Sequence, residues 1–223
     1  MISHHSNDAL LLDYASGGAS QSISLLVATH LALCPTCRQK VAEFETIGGA
    51  LMENEIRDSP VGDLSVDLKT RLLDRLDEPE PSDAEPARRE SILAPEAAML
   101  PQPLRDYCAD QIKNDAWRWW GFGLKKIPLL KDRENFDCYL LSIKGGTKVP
   151  KHDHLGDEWT LVLSGGFVDK SGHFMRGDIA EYQKDDVHQP IADTGDPCIC
   201  LIVAKEQVKL TGVLGRWLNP LIR

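Results

Sequence analysis

Apolar positions in the first 80 residues recur at the spacing of helices. Polar residues 6–8 precede an apolar run that ends at Gly17 and Gly18, which is typical of a capped first helix. A second helix is predicted over residues 20–33, where apolar side chains form one stripe. A third is predicted from Pro35, since proline is tolerated in a first turn, and a fourth over residues 64–76. The pattern therefore predicts a small N-terminal helical bundle.

Beyond residue 115 the pattern changes to short apolar or alternating runs separated by Gly, Pro, Asn and Asp. Short runs with turn residues between them are typical of a β-sandwich or barrel. The clearest runs are residues 117–120, 136–143, 159–163, 179–182 and 198–203. Residues 206–223 are apolar enough to dock either on this barrel or on a partner chain, and both alternatives stay open. The C-terminal half is thus expected to be all-β.

A proline-rich stretch separates the two patterns. Six of the 13 prolines fall between residues 79 and 103, mixed with Ser, Ala, Asp and Glu. Such a composition disfavours an ordinary helix or a central strand and predicts a linker, with a short helix around residues 88–93. A chain of 223 residues is long enough for two modest domains. We therefore predict a helical domain over residues 1–80, a linker over 81–104 and a β domain over 105–223.

The overall composition is that of a soluble globular protein, with 42% hydrophobic and 26% charged residues. No stretch approaches the roughly 18 apolar residues that span a bilayer, and the start of the chain lacks a signal-peptide pattern. We therefore expect a cytoplasmic protein with no membrane partner. In a reducing compartment, closely spaced members of its six cysteines suggest metal or redox chemistry rather than disulfides.

The charge distribution argues against direct nucleic-acid binding, which requires a basic face. The chain carries a formal net charge of −9, and residues 1–80 contain six Lys and Arg against 13 Asp and Glu. An acidic helical domain suits a basic protein partner. A merely solvated acidic surface is the equally simple alternative.

The first group of candidate metal ligands is His30, Cys34 and Cys37. His30 and Cys34 lie one helical turn apart, and Pro35 turns the chain so that Cys37 points back toward them. Structural zinc takes four ligands, and His4 or His5 is the candidate for the fourth. The alternatives are a buried histidine with two inert thiols, or a redox C-x-x-C pair without its usual βαβ setting.

The second group contains two histidines and a carboxylate between two glycines: Gly146, His152, His154, Glu158 and Gly165. Residues two apart on a strand share a face, so His152 and His154 are expected to point into the barrel, with Glu158 supplied after the following turn. The spacing is similar to the first motif of the cupin family. Such a set suits Zn, Fe, Mn or Ni, with zinc as the first expectation, and surface histidines in a polar loop are the alternative.

A fourth barrel ligand is expected from a later strand. Gly177 and Asp178 followed by His188 resemble the second cupin motif. The sequence departs from that motif at Met175, where the family has proline, and no Asn follows His188 at the usual place. His188 is the candidate that this resemblance implies.

The segments MISHHSNDALL, ATHLALCPTC and GGALME resemble the ChrR branch of the zinc-binding anti-sigma factors, and the resemblance continues through GDPCICL. It implies that an N-terminal histidine, aligned with His5 rather than His4, binds zinc together with His30, Cys34 and Cys37. It further implies that the helical domain sequesters an extracytoplasmic-function sigma factor. The cupin domain would sense an oxidative signal, singlet oxygen or peroxides.

The expected fold class is therefore multidomain, a small zinc-binding helical bundle followed by a cupin barrel, and the expected function is that of a regulator rather than an enzyme. The first alternative is a cupin metalloenzyme of dioxygenase or isomerase type with an accessory zinc domain. The second is a structural adaptor with two zinc sites. Cupins often pair through their sheets, so a homodimer is a further expectation that the sequence leaves open.

Two alternative roles are open for a pair of cysteines and for a group of tryptophans. Cys198 and Cys200 alternate on one face of a strand, either as oxidation-sensitive thiols near the metal or as small core residues. Trp117, Trp119 and Trp120 are expected to pack the first strand against the barrel, and an aromatic ligand cage is the alternative.

Overall fold

The structure is a computed structural model that describes residues 2–58, 66–76, 100–113, 117–205 and 208–210. The chain divides into two units, one formed by Met1–Phe44 with Leu93–Arg223 and the other by Glu45–Ile92. The predicted short helix over residues 88–93 and the apolar end, residues 211–223, lie outside the described residues.

Five helices are described: α1 (Asp8–Ala15), α2 (Gln21–Leu33), α3 (Pro35–Asp58), α4 (Val66–Leu76) and α5 (Gln102–Lys113). The cap residues explain where the first two begin, because the side chains of Asn7 and Ser20 each accept a hydrogen bond from a backbone N–H three residues later. The four predicted helices are confirmed. The sequence pattern does not predict α5, whose first turn contains Pro103. Proline is tolerated there because that N–H needs no partner inside the helix.

Twelve strands follow α5: β1 (Arg118–Gly121), β2 (Leu124–Lys131), β3 (Asp137–Ile143), β4 (His152–His154), β5 (Glu158–Ser164), β6 (Gly166–Asp169), β7 (Gly172–Met175), β8 (Ile179–Tyr182), β9 (Val187–His188), β10 (Ile191–Ala192), β11 (Cys198–Ala204) and β12 (Val208–Leu210). They form a six-stranded sheet in the order β1-β2-β3-β11-β5-β8 and two three-stranded sheets in the orders β10-β6-β7 and β12-β4-β9. The predicted combination of N-terminal helices and a C-terminal cupin barrel is confirmed.

Both faces of the six-stranded sheet are covered. Alternate residues of its central strands, such as Leu141 and Ile202, point into the barrel interior. Their neighbours, such as Leu140 and Leu201, pack against apolar side chains of α1, α2 and α5 in a second core. Burial on both faces explains why β3 and β11 read as nearly continuous apolar runs. The first helices therefore share one hydrophobic core with the barrel.

The three tryptophans do not pack alike. Trp117 is half-buried against the helix-side core, and Trp120 packs against the barrel interior. Trp119 is 77% exposed, so the prediction that it packs the first strand against the barrel is wrong. Burial does not alternate along β1, since Arg118 and Trp119 are both exposed, and a register shift interrupts its pairing with β2 between Trp119 and Gly121. Trp119 and Trp120 instead both line one apolar cavity.

Candidate metal centres

Four of the predicted N-terminal ligands converge. His5 comes from the extended arm before α1, His30 from the last turn of α2, Cys34 from the residue that joins α2 to α3, and Cys37 from the first turn of α3. One donor atom of each lies within 4.8 Å of the others. His5 Nδ1 lies 3.3 Å from Cys34 Sγ and 3.5 Å from Cys37 Sγ. Two nitrogens and two sulfurs at this spacing suit a tetrahedral zinc ion.

The protonation state of His30 supports a metal at this group. Its Nδ1–H donates to the carbonyl oxygen of Gly177 at 2.9 Å, and because a carbonyl only accepts, Nε2 carries the lone pair. Nε2 is buried without a hydrogen-bond partner. Burial lowers the pKa of His30 to about 4, although the hydrogen bond to Gly177 opposes the shift. A neutral imidazole with an unsatisfied buried lone pair is available to bind a metal ion.

The two thiols, Cys34 and Cys37, are also consistent with a metal site. Burial, together with the neighbouring Cys34, raises the pKa of Cys37 to about 11, so in the absence of a cation it stays protonated. Both sulfurs are nearly inaccessible to solvent. A bound divalent cation would supply the charge that stabilises two thiolates there.

His4, the alternative fourth ligand, lies elsewhere. Its Nδ1 is 3.6 Å from Asp178 Oδ2, and its ring lies against Phe174 with the centroids 4.4 Å apart. The structure therefore places His5, and not His4, beside the cysteines.

Three predicted ligands of the barrel also converge. His152 and His154 lie on β4, and His188 lies on the neighbouring strand β9, where it pairs directly with His152. His188 Nε2 is 2.8 Å from His152 Nε2 and 2.9 Å from His154 Nε2. All three are buried. Their ring nitrogens thus face one point inside the barrel, as the side-chain alternation of β4 predicts.

Glu158 stands at the start of β5 beside this group but is not one of the three convergent residues. Its Oε2 lies 3.6 Å from Nδ1 of His154, the nitrogen that faces away from the other histidines. Burial raises the pKa of Glu158 to about 7 and lowers those of His152 and His154 to about 4 and 3. Neutral imidazoles are competent ligands, and a cation would stabilise the carboxylate. The ligand role of Glu158 stays a prediction.

Asp169 is a further candidate site residue that the sequence did not reveal. Its Oδ2 accepts hydrogen bonds from His188 Nδ1 at 2.9 Å and from the Tyr182 hydroxyl at 2.8 Å. Burial would raise its pKa, but hydrogen bonds from His188, Ser171 and Tyr182 outweigh this and lower the pKa to about 2. The carboxylate therefore fixes the His188 ring with Nε2 directed at the group, as carboxylates do behind metal-bound histidines. Its only sequence signal is an acidic residue at the end of a short strand.

A cavity of about 390 Å³ opens beside the barrel histidines. Its walls are mostly apolar, with His152, Glu158 and His188 as polar residues in them. Cys200 also lines it, and Cys198 Sγ lies 3.6 Å from Cys200 Sγ. Both thiols are buried in the core, and Cys200 also faces the cavity. Their sensitivity to oxidation stays a prediction.

Comparison with known proteins agrees with this geometry. Residues 108–208 match the model of the ChrR cupin-like domain. The anti-sigma-E factor ChrR of Cereibacter sphaeroides is 38% identical over 222 residues, which is 100% of this chain and 99% of that protein. The crystal structure of Rhodobacter sphaeroides SigE in complex with the anti-sigma ChrR matches with a TM-score of 0.74 and 35% identity, covering 92% of this chain and 99% of the matched chain. The protein therefore belongs to the ChrR family of anti-sigma factors and carries that family's cupin-like domain.

Proposed function

We propose that this protein is a zinc-dependent anti-sigma factor that sequesters an extracytoplasmic-function sigma factor and releases it on an oxidative signal received by the barrel. One observation carries the proposal: the chain is similar, over nearly its whole length, to an anti-sigma protein whose structure was solved in complex with its sigma factor. Membership of a regulator family also favours this function over the cupin-enzyme alternative.

Zinc at the N-terminal group would be structural. His5, His30, Cys34 and Cys37 would hold it, and the ion would join the extended arm to the junction of α2 and α3. A four-ligand site leaves no open position for chemistry, so its contribution is to folding and rigidity. The barrel histidines would hold a divalent metal, zinc or alternatively Fe, Mn or Ni, next to the cavity.

The candidate surface for the sigma factor is α4. Leu72, Leu73 and Leu76 of this helix are 53%, 53% and 79% exposed. Exposed leucines at these spacings form an apolar stripe of the kind that a partner helix or groove covers. The acidic balance of residues 1–80 would complement a basic partner whose own function is to bind DNA.

The sensor is proposed to be the barrel metal with its cavity. Singlet oxygen and peroxides are the candidate signals, as the family resemblance implies, and the buried thiol of Cys200 lies in the same cavity wall.

No described helix is both long enough and apolar enough to cross a bilayer. We place the protein in the cytoplasm, where sigma factors act, without direct contact to nucleic acid. We also propose that it forms a homodimer through the barrel.

The test is co-purification of the full chain with its cognate sigma factor, followed by transcription from that sigma factor's promoter in vitro. We expect a stoichiometric complex and repression by the protein, relieved when the complex is exposed to singlet oxygen or an organic peroxide. Failure to form a complex contradicts the anti-sigma function. A stable complex that neither oxidant dissociates contradicts only the proposed signal.

A further inference from the structure

The extended arm before α1 lies along the turn that joins β7 to β8 of the barrel. Asp178, which is almost fully buried, accepts hydrogen bonds at Oδ1 from the backbone N–H groups of Ser3 at 2.7 Å and His4 at 2.9 Å. The N–H of Ile179 donates in return to the His4 carbonyl at 3.1 Å. His4, the residue that precedes His5, is therefore bonded to the barrel through both its backbone N–H and its carbonyl oxygen.

The same turn also contacts α2. The carbonyl oxygen of Gly177 accepts from His30 Nδ1 and thereby sets which nitrogen of this ligand faces the metal group. Gly177 has a φ of +94°, and a Cβ at this position would lie 2.6 Å from Ile2 Cδ1. A side chain there would be strained by the positive φ and would displace the Ile2 side chain, so glycine suits the contact between this turn and the arm.

A second anchor lies further along the arm. The side chain of Glu181 on β8 accepts from the backbone N–H of Asn7 at 3.1 Å and from its side-chain amide at 2.7 Å. His5 is thus held between two attachment points, Asp178 before it and Glu181 after it. Both attachment points belong to the barrel.

We propose that Gly177 and Asp178 are positioning residues of the N-terminal metal site, so that the barrel supplies the outer shell of a site whose ligands all come from the first 37 residues. This inference rests on the proposed binding of metal by that group. His5 comes from an arm without helical structure, whereas the other ligands come from α2, α3 or the residue between them. An unanchored arm would lose conformational entropy when the metal binds, and this would lower the metal affinity. Loss of such outer-shell contacts typically lowers metal affinity by about 10–100-fold.

The experiment must separate this role from a purely structural one, since Asp178 also accepts from the Met175 N–H within its own turn at 2.8 Å. Cobalt titration of the full-length protein does so. Thiolate-to-cobalt charge-transfer absorption reports the site with Cys34 and Cys37, whereas the three convergent barrel ligands are histidines and contribute none. The affinity of each site is then read separately, in competition with a chelator.

We expect Asp178→Asn to weaken cobalt binding at the thiolate site by about 10-fold or more. The matched control is Asp193→Asn, an exposed carboxylate on the barrel that pairs with His173 and not with the arm. We expect it to leave the affinity unchanged. An Asp178→Asn protein with wild-type cobalt affinity at the thiolate site would overturn the inference, whereas a wild-type protein without the charge-transfer band would overturn the metal site itself.

A substitution on the arm tests the same attachment without altering the fold of the barrel. Ser3→Pro removes the N–H that donates to Asp178 and alters no barrel residue. We expect a loss of cobalt affinity here too, and we expect the double variant to be little worse than Asp178→Asn alone, because both changes disrupt the same attachment of the arm to Asp178. Additive losses would show that the two residues act independently and would contradict the proposed anchor.

Discussion

His30 donates its Nδ1 proton to the carbonyl oxygen of Gly177 across 2.9 Å, although 147 positions separate the two residues along the chain. One residue belongs to the candidate zinc site and the other to a turn of the cupin barrel. Helix α2 and the barrel are therefore joined by a hydrogen bond of a candidate ligand, in addition to sharing a hydrophobic core.

Removal of one thiolate should empty the N-terminal site. We expect Cys34→Ser to lower the zinc content by about one ion per chain, because three remaining ligands do not hold structural zinc tightly. Elemental analysis of the purified full-length protein measures this. Cys108→Ser is the control, since Cys108 is also buried but its thiol donates to the Leu104 carbonyl and is not part of the convergent group. Equal zinc contents in the two variants would be incompatible with the assignment.

The metal-free protein should lose stability as the pH falls from about 6.5 to about 4. His30 takes up its proton near pH 6.5 when unfolded but only near pH 4 when folded, so the unfolded chain binds more protons in this window. The contribution is complete above pH 6.5 and amounts to about 3 kcal/mol once lost. Glu158, with a raised pKa, acts in the opposite direction.

The difference between wild type and His30→Gln isolates this contribution. We expect urea unfolding of the chelator-treated variant to depend on pH less steeply, by up to one proton, between pH 4.5 and 6.5. Parallel pH profiles for the two proteins would mean that His30 is not held neutral by burial.

Loss of the carboxylate behind His188 should weaken the barrel site alone. We expect Asp169→Asn to lower the metal affinity of this site by about 10–100-fold, because His188 loses the group that orients it. Cobalt titration monitors it through the weaker bands without charge-transfer intensity. The charge-transfer band of the thiolate site should be unaffected, and its loss would indicate general misfolding. An unchanged barrel affinity would exclude the orienting role.

Shortening an exposed leucine of α4 should weaken the complex with the sigma factor. We expect Leu72→Ala to reduce affinity by about 10-fold, the usual cost of truncating an interface anchor, while alanine preserves the helix. Trp119→Ala is the control, because it removes a larger and more exposed side chain, from the barrel. Binding is measured by titration calorimetry. A weaker complex with Trp119→Ala but not with Leu72→Ala would place the interface on the barrel instead.

Local patterns made much of the fold and of both candidate sites predictable. The helical spacing of His30 and Cys34 and the strand spacing of His152 and His154 place each pair on one face, whatever the rest of the chain does. The caps Asn7 and Ser20 act within three residues, so the starts of α1 and α2 follow from the sequence.

What escaped prediction depends on contacts between distant segments. Asp169 acquires its role only because β6 brings it to His188, and no spacing announces that approach. Spacing alone left His4 and His5 open, and only the family resemblance favoured His5. In the structure the arm is held by Asp178, some 174 positions away in the sequence, which no local pattern reveals. Helix α5 was not predicted because the prolines of residues 79–103 indicated a linker. Proline is nevertheless tolerated in the first turn of a helix, where Pro103 lies.

Strand β8 gives the arrangement a mechanical consequence. It begins directly after Asp178, which holds the arm, and ends at Tyr182, whose hydroxyl bonds Asp169 behind the barrel histidines. Four residues of extended chain span only about 13 Å. The two candidate metal centres are thus connected to opposite ends of one short strand, and a displacement of Tyr182 along β8 would be transmitted to the arm that carries His5.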